Sequence, residues 1–544
     1  MGAFKMNATR IAAVAVVIGC AFLATLPARA ESAGGSDAEI ALLKQQLRML
    51  EQKIDKLQKQ SDANGQAAAD ANAKAAKANA NAKAADAKAA STASAIAAVP
   101  VKGPVAPSGV VVTMPNNRPT ICTADEQNCV AITSRLHWDV GGYDFRPATA
   151  ATSPQRLDSG ENVRRARIGV IGKFLSDWNF ALVYDFGGTS DGFGSSISGE
   201  LPGGGTSGVE NAYLSYTGLK PFGGKMAIEA GIMDLPWTID NAMSSNDILF
   251  MERASSNVIA NNIAAGDFRS AAGARWWNDW IWAGGYVTGP TTGQIHSASS
   301  TNPNGSTEQY GAIARVAGQV ISGPNYSLHL GADAEWLIQP PRNLVTQAQT
   351  LSLSDRPELR IDPTTLISTG AIANASGAQV YSVEAAATYG PLFFQGEYFW
   401  FNVDRSANTG LPPIGAPSLN FQGGYGESSW VLTGETHNYN PASAAYGGIK
   451  PANPFSLNGG GWGAFEIAGR VSIMDLNDQL ATATGIAGGR QTIYTAGLNW
   501  YPTNNIRFML NYLHGDISRQ ASPTSIVNVG SSFDAVAMRT QFAF

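Results

Sequence analysis

Alternation with a period of two, sustained to the last residue, constrains this chain more than any other feature. It is clearest over residues 163–186. The first arm reads VRRARIGVIGKF, with Ala166, Ile168, Val170 and Phe174 on one parity and Arg165, Arg167 and Lys173 on the other. After the polar break Leu175-Ser176-Asp177, Trp178, Phe180, Leu182, Tyr184 and Phe186 alternate with Asn179, Ala181, Val183 and Asp185. Successive side chains of a strand point to opposite faces, so each arm carries an apolar and a polar face. A soluble sheet shares that property. Aromatic residues closing the apolar row, and recurrence of the pattern along the chain, indicate strands with lipid on one side and water on the other.

Candidate strands lie near 134–146, 162–174, 178–187, 209–217, 225–233, 267–277, 280–288, 308–320, 326–337, 378–389, 392–403, 422–434, 462–474, 490–501, 505–514 and 533–544. Sixteen is an even number within the range of bacterial barrels, which predicts an all-β, 16-stranded antiparallel transmembrane β-barrel over residues 131–544. Short connections such as Ser176-Asp177, Asn278-Asp279 and Gly390-Pro391 alternate with long Gly-, Ser- and Asn-rich ones, as in outer-membrane barrels. The segment 435–461 breaks the rule: it falls on the short-turn side yet is long, and long loops in compact domains usually have a function.

Composition agrees. Charged residues are 15%, aromatics 9%, and there are 59 glycines, which suits a barrel better than a helical protein. The net charge of −5 offers no basic surplus, so nucleic acid is not an expected partner. Residues 1–30 read as a signal peptide, with Lys5 and Arg10, an apolar core and the Ala28-Arg29-Ala30 cleavage site. Beyond Ala30 no apolar run is long enough to span a bilayer as a helix, so a mature membrane protein has to be a barrel.

Ile40, Leu43, Leu47, Leu50, Ile54 and Leu57 make an a/d seam, predicting a short oligomeric coiled coil over 31–62. One amphipathic helix packed on a globular domain is the competing interpretation. Residues 63–130 form an Ala-rich spacer and a Pro/Gly linker, in which Cys122 and Cys129 are expected to close a small disulfide loop.

Signals for catalysis are weak. The run 203–208 satisfies G-x-G-x-x-G without a βαβ unit, and Asp475, Asn477 and Asp478 lack the remaining ligands of a calcium loop. The five histidines are dispersed. No enzyme, metal or cofactor is expected.

The segments ENVRRARIGVIGKF, AYLSYTGLKPF, SSNDILFMERASSN, GGIKPANPF, GGWGAFEIAGRVSIMDLND and GGRQTIYTAGLNWYPTNNIRFMLNYLH, with the terminal MRTQFAF, resemble the phosphate-selective porin O/P family. The resemblance implies a trimer of sixteen-stranded barrels with selected loops folded into the lumen, here near 234–266, 338–377 and 435–461. It also implies channel-lining arginines that lead anions to a constriction bearing lysines. Arg165 and Arg167 fall on the family's Arg-rich strand. Lys173, Arg269, Arg275, Arg315, Arg470 and Arg507 share inward parity, and Arg253 and Lys450 lie in infolded segments. A row of guanidiniums can pass an anion along without stripping all its water. Alternatively, several of them pair with inward acids (Asp185, Glu229, Asp333, Glu335, Glu384, Glu397, Glu466) and stiffen the wall. The chain departs from the family at the third loop, which has no lysine but carries Asp234, Asp240, Asp247, Glu252 and Arg253. An acidic eyelet would favour cations or sieving by size.

These features together predict an outer-membrane homotrimeric porin for passive diffusion of small hydrophilic solutes, anions such as phosphate foremost, with its N-terminal segment in the periplasm. The expected partners are the lipid bilayer, small inorganic or organic anions, and the barrel-assembly machinery through Phe544. Trp178, Trp280, Trp336, Trp400, Trp500 and Phe544 should mark the aromatic girdles. The alternatives are a general or cation-preferring pore, or a barrel that anchors a tether to the cell wall.

Overall fold

The computed structural model describes residues 109–151, 155–187, 208–266, 268–291, 307–343, 347–406 and 418–544. The signal peptide, the heptad segment and the Ala-rich tract lie outside the described residues. Sixteen long strands make the wall: β1 (Cys129–Pro147), β2 (Gly160–Phe174), β3 (Trp178–Asp185), β4 (Gly208–Leu219), β5 (Lys225–Met233), β6 (Arg269–Trp277), β7 (Ile281–Thr291) and β8 (Tyr310–Gly323) come first. They are followed by β9 (Tyr326–Gln339), β10 (Ala375–Tyr389), β11 (Leu392–Arg405), β12 (Ser418–Val431), β13 (Ala464–Asp478), β14 (Ile486–Thr503), β15 (Ile506–Ser518) and β16 (Ser531–Ala543).

Each strand pairs antiparallel with its chain neighbour, and β16 returns to β1 from Ser531↔Pro147 to Ala543↔Arg135. That closure satisfies every ladder and leaves the wall no open edge, which a bilayer demands. The wall is thus the closed antiparallel barrel that the alternation predicts. Strand ends differ by a few residues: β1 begins at Cys129 rather than 134, and β14 at Ile486 rather than 490. Pairing continues there past the lipid band, where no apolar side chain is required and alternation therefore fades.

The outward row is apolar along the whole circuit. Ile168 is 54% exposed and Met538 52%, and Leu330, Val383, Leu498 and Val536 share that face. Trp178, Trp280 and Trp400 are also exposed, and Trp336, Trp500 and Phe544 half-exposed. A water-facing surface of this kind would be untenable, whereas lipid requires it.

One stretch predicted as linker is ordered. Val110–Thr113 and Thr120–Thr123 form a hairpin whose second arm pairs with the start of β1 through Thr120↔Ala131 and Cys122↔Cys129. The β-branched run Val110-Val111-Val112-Thr113 outweighs the flanking prolines. The Cys122 and Cys129 sulfurs are bonded across this pair.

Candidate functional site in the barrel lumen

Three connections fill the inside of the cylinder. The third long loop (residues 234–268) carries two short helices, α1 (Ile239–Ala242) and α2 (Ser255–Asn261). Its Leu235, Trp237, Met251, Ile259 and Ile263 pack against inward Phe399, Phe401 and Phe533. The interior is therefore partly apolar, not lined by polar side chains alone. Polar contacts fix the loop's height. Trp237 Nε1 donates to the Ala334 carbonyl (3.0 Å), and the Ala264 and Ala265 amides donate to Glu335. The Met251 amide donates to Asn511 Oδ1 at 2.9 Å.

The infolded segment near 338–377 joins it through Glu358, which accepts from the Ser255 amide (2.9 Å) and from Arg470 (2.7 Å). From the other end comes the anomalous connection between β12 and β13. Its Ala442 carbonyl accepts from Arg275 (2.9 Å) and Trp282 (3.0 Å), and its Ser443 and Ala444 carbonyls accept from Arg315 (2.8 and 2.7 Å). His437, in the same connection, contacts Glu466 Oε1 on β13 at 2.7 Å. The length that broke the alternation is an infolded plug.

Most candidate arginines are held by protein groups. Arg167 bonds Asp185 (2.7 Å) and Glu210; Arg275 bonds Glu229 (3.1 Å). Arg315 bonds Glu384 (2.8 Å) and lies 3.5 Å from Asp333, and Arg470 lies 3.8 Å from Glu427 in addition to Glu358. Arg253 lies 3.8 Å from Asp240, and Arg165 3.8 Å from Glu252. Arg269 and Arg507 donate to carbonyls, the latter to Ile248 (2.7 Å) and Leu249 (3.1 Å). Lys173 is half-buried at the short-turn end of β2, in register with Cys129, and Lys450 is exposed.

The acidic eyelet expected from the third loop is not what the geometry gives. Glu252 receives Arg164 (2.8 and 3.1 Å) and Arg539 (2.7 Å), and Arg539 is shared with Asp139 (2.7 Å). Glu252 thus meets wall cations that loop composition alone does not reveal, while Asp240 lies near the loop's own Arg253. Burial opposes ionisation of Glu252, yet Arg164, Arg539 and Arg165 outweigh it and hold the carboxyl well below the usual range.

Three lumenal arginines were absent from the candidates. Arg539 sits in the terminal strand with inward parity, and parity alone would have found it. Arg164 breaks parity: His137 pairs with Arg165 and Trp138 with Val163, so Arg164 is the extra residue of a β-bulge and turns inward beside Arg165. Arg135, on β1, donates to Ser245 Oγ (2.6 Å) and Ser244 Oγ (3.1 Å) of the third loop and, among the described residues, has no carboxylate within ion-pair distance. It too has inward parity.

Arg135 stands between two lumenal cavities. One, of about 380 Å³, is lined by the charged side chains Arg135, Arg167, Arg253 and Arg275 and by Glu210, Glu229 and Asp234. The other, of about 260 Å³ at the short-turn mouth, has Arg118, Arg135, Lys450 and Arg507 against the single acid Asp247. Thr133, Ser134 and Arg135 line both.

A closed barrel greased outside, with a charge-lined passage narrowed from both ends, is the architecture of an outer-membrane diffusion porin. Residues 130–544 match the family model "Phosphate-selective porin O and P", and the chain belongs to that family. It is 22% identical to Porin O of Pseudomonas aeruginosa over 467 residues, 83% of this chain and 97% of that one. A Caulobacter vibrioides protein described as uncharacterized is 34% identical over 223 residues, which span 40% of each chain. Among solved structures, OmpT of Vibrio cholerae covers 77% of this chain and 98% of its own at 12% identity and a TM-score of 0.43. The anion-selective porin of Comamonas acidovorans covers 77% and 100%, at 15% identity and a TM-score of 0.40.

Proposed function

We propose that this porin passes small hydrophilic anions, inorganic phosphate among them, by passive diffusion. The observation that carries this reading is Arg135, a guanidinium held, among the described residues, by serine hydroxyls at the junction of the two cavities. A guanidinium bonded to neutral groups keeps its full charge for a passing anion, whereas one locked to a carboxylate does not. Below it, Lys450, Arg118 and Arg507 give the mouth a positive field that concentrates anions. Function as a homotrimer, with the N-terminal segment in the periplasm, is part of the same proposal. OmpT of Vibrio cholerae is described in a trimer form. Fold and family describe a channel rather than an enzyme.

The test is the reversal potential in planar bilayers under asymmetric potassium chloride. Wild type should show the anion sign. Arg135→Gln combined with Lys450→Gln should move the potential towards zero while the pore stays open. A cation sign in wild type would overturn the anion reading and leave the pore intact.

The heptad seam supports a second role, a tether towards the cell wall. Deleting residues 31–105 should leave conductance unchanged; if cell-envelope integrity falls in that strain, the tether role stands beside the channel.

A further inference from the structure

The outer wall is not uniformly studded with large side chains. Across β10–β12, Ala385 faces Gly396, which faces Gly426. One row nearer the short turns, Ser428 faces Gly469, which faces Ala496. A Cβ added to Gly426 or Gly469 would meet nothing within 4 Å, so the space in front of them is open. Taller neighbours, Leu330, Phe394, Tyr398, Val471 and Tyr494, stand around this floor. The result is a continuous furrow on the lipid side, seen as cavities of about 900 and 750 Å³ that share Ala385, Gly426 and Val471. Each lies in the range of sites that hold small ligands, about 300–1,000 Å³.

The end of the furrow towards the long loops is not apolar. Arg490 of β14 and its cross-strand neighbour Asp475 line it, and Arg490 also lines a polar cavity of about 490 Å³ with Arg146, Thr492, Asp516, Ser518 and Ser532. Arg146 is committed to Asp144 (2.6 Å) and Asp534. Arg490 is exposed and has no hydrogen bond or ion pair among the described residues. One unpaired guanidinium therefore joins a polar recess to an apolar trough. The apolar belt of these strands ends in Tyr494 and Tyr512, and polar His514, Asp516 and Thr492 follow, which places Arg490 at the depth of lipid headgroups.

We infer that this face is a binding site for a phosphorylated membrane lipid, with an acyl chain in the furrow and the headgroup phosphate on Arg490. A free anion would use the guanidinium and leave the trough empty. An uncharged lipid would use the trough and gain nothing from Arg490. A phosphorylated amphiphile satisfies both, and guanidinium–phosphate pairing is favoured by its bidentate geometry. The site faces away from the lumen, so occupancy and conduction are separable.

Native mass spectrometry of the full-length protein in detergent tests this with three probes: phosphatidic acid, diacylglycerol and inorganic phosphate. Wild type should retain phosphatidic acid over the other two. Arg490→Gln should weaken retention about tenfold, equivalent to about 1.4 kcal/mol. Gly426→Trp, which fills the trough, should do the same, and both variants should conduct as wild type does, showing that they fold. Equal retention of diacylglycerol, binding of phosphate alone, or indifference to either substitution would overturn the proposal. So would loss of oligomer in Gly426→Trp, since the furrow would then be a contact between copies.

Discussion

Replacing Glu252 with alanine should release the third loop inside a barrel that remains closed. The carboxylate is 4% exposed and is the meeting point of Arg164 and Arg539, with Arg165 at 3.8 Å. Removing one partner of a buried ion pair leaves uncompensated charge and costs about 3–5 kcal/mol. The sixteen-strand ladder does not depend on that carboxylate, so the loss should fall on the loop. We expect single-channel current to become larger and noisier, with circular dichroism unchanged. The pH dependence has a definite sign. Because the folded carboxyl titrates well below its usual range, its contribution is complete above the unfolded value of about 4.3 and disappears only as pH falls through the depressed folded value. Wild type should therefore keep a quiet current through mildly acidic pH and loosen only in strong acid, whereas Glu252→Ala should be noisy throughout. A quiet, wild-type-like current from this variant would mean that apolar packing alone holds the loop.

Shortening the connection between β12 and β13 should have the second large effect. Replacing residues 438–447 with a short Gly-Ser link removes Tyr439, Ala442, Ser443, Ala444 and Tyr446 from the lumen. Arg315 keeps Glu384 and Asp333, and Arg275 keeps Glu229, so no buried cation is stranded. Water takes the place of the three lost carbonyl acceptors. Conductance should rise severalfold with the anion sign preserved, because Arg135 and Lys450 remain. Unchanged conductance would place the narrowest point wholly in the third loop.

The wall was legible in the sequence because lipid and water impose a local rule, one side chain at a time. Ile168, Leu182 and Met538 obey it, and so do the buried Arg165 and Asp185. The anomaly at 435–461 was legible for the same reason, as a break in an otherwise regular alternation of connections. What could not be read locally was pairing. Nothing near Glu252 in sequence announces Arg539, 287 residues away. The third loop therefore looked like an acidic eyelet when its central acid, Glu252, was already matched. Arg164 was hidden by the bulge beside it, which reverses parity for a single residue. The hairpin at 110–123 was hidden by prolines, of which Pro115 and Pro119 lie in its turn and not in its arms.

The reach of these contacts bears on how the molecule comes to exist. The third loop is anchored by Arg507, Arg539 and Gln541, which belong to the last two strands. Until those strands arrive, the loop lacks the contacts that Arg507, Asn511, Arg539 and Gln541 give its middle, although Trp237 and the Ala264 and Ala265 amides already have theirs on β9. The narrowing is thus completed last, and a chain that stalls before β15 would leave the middle of its filter unfastened.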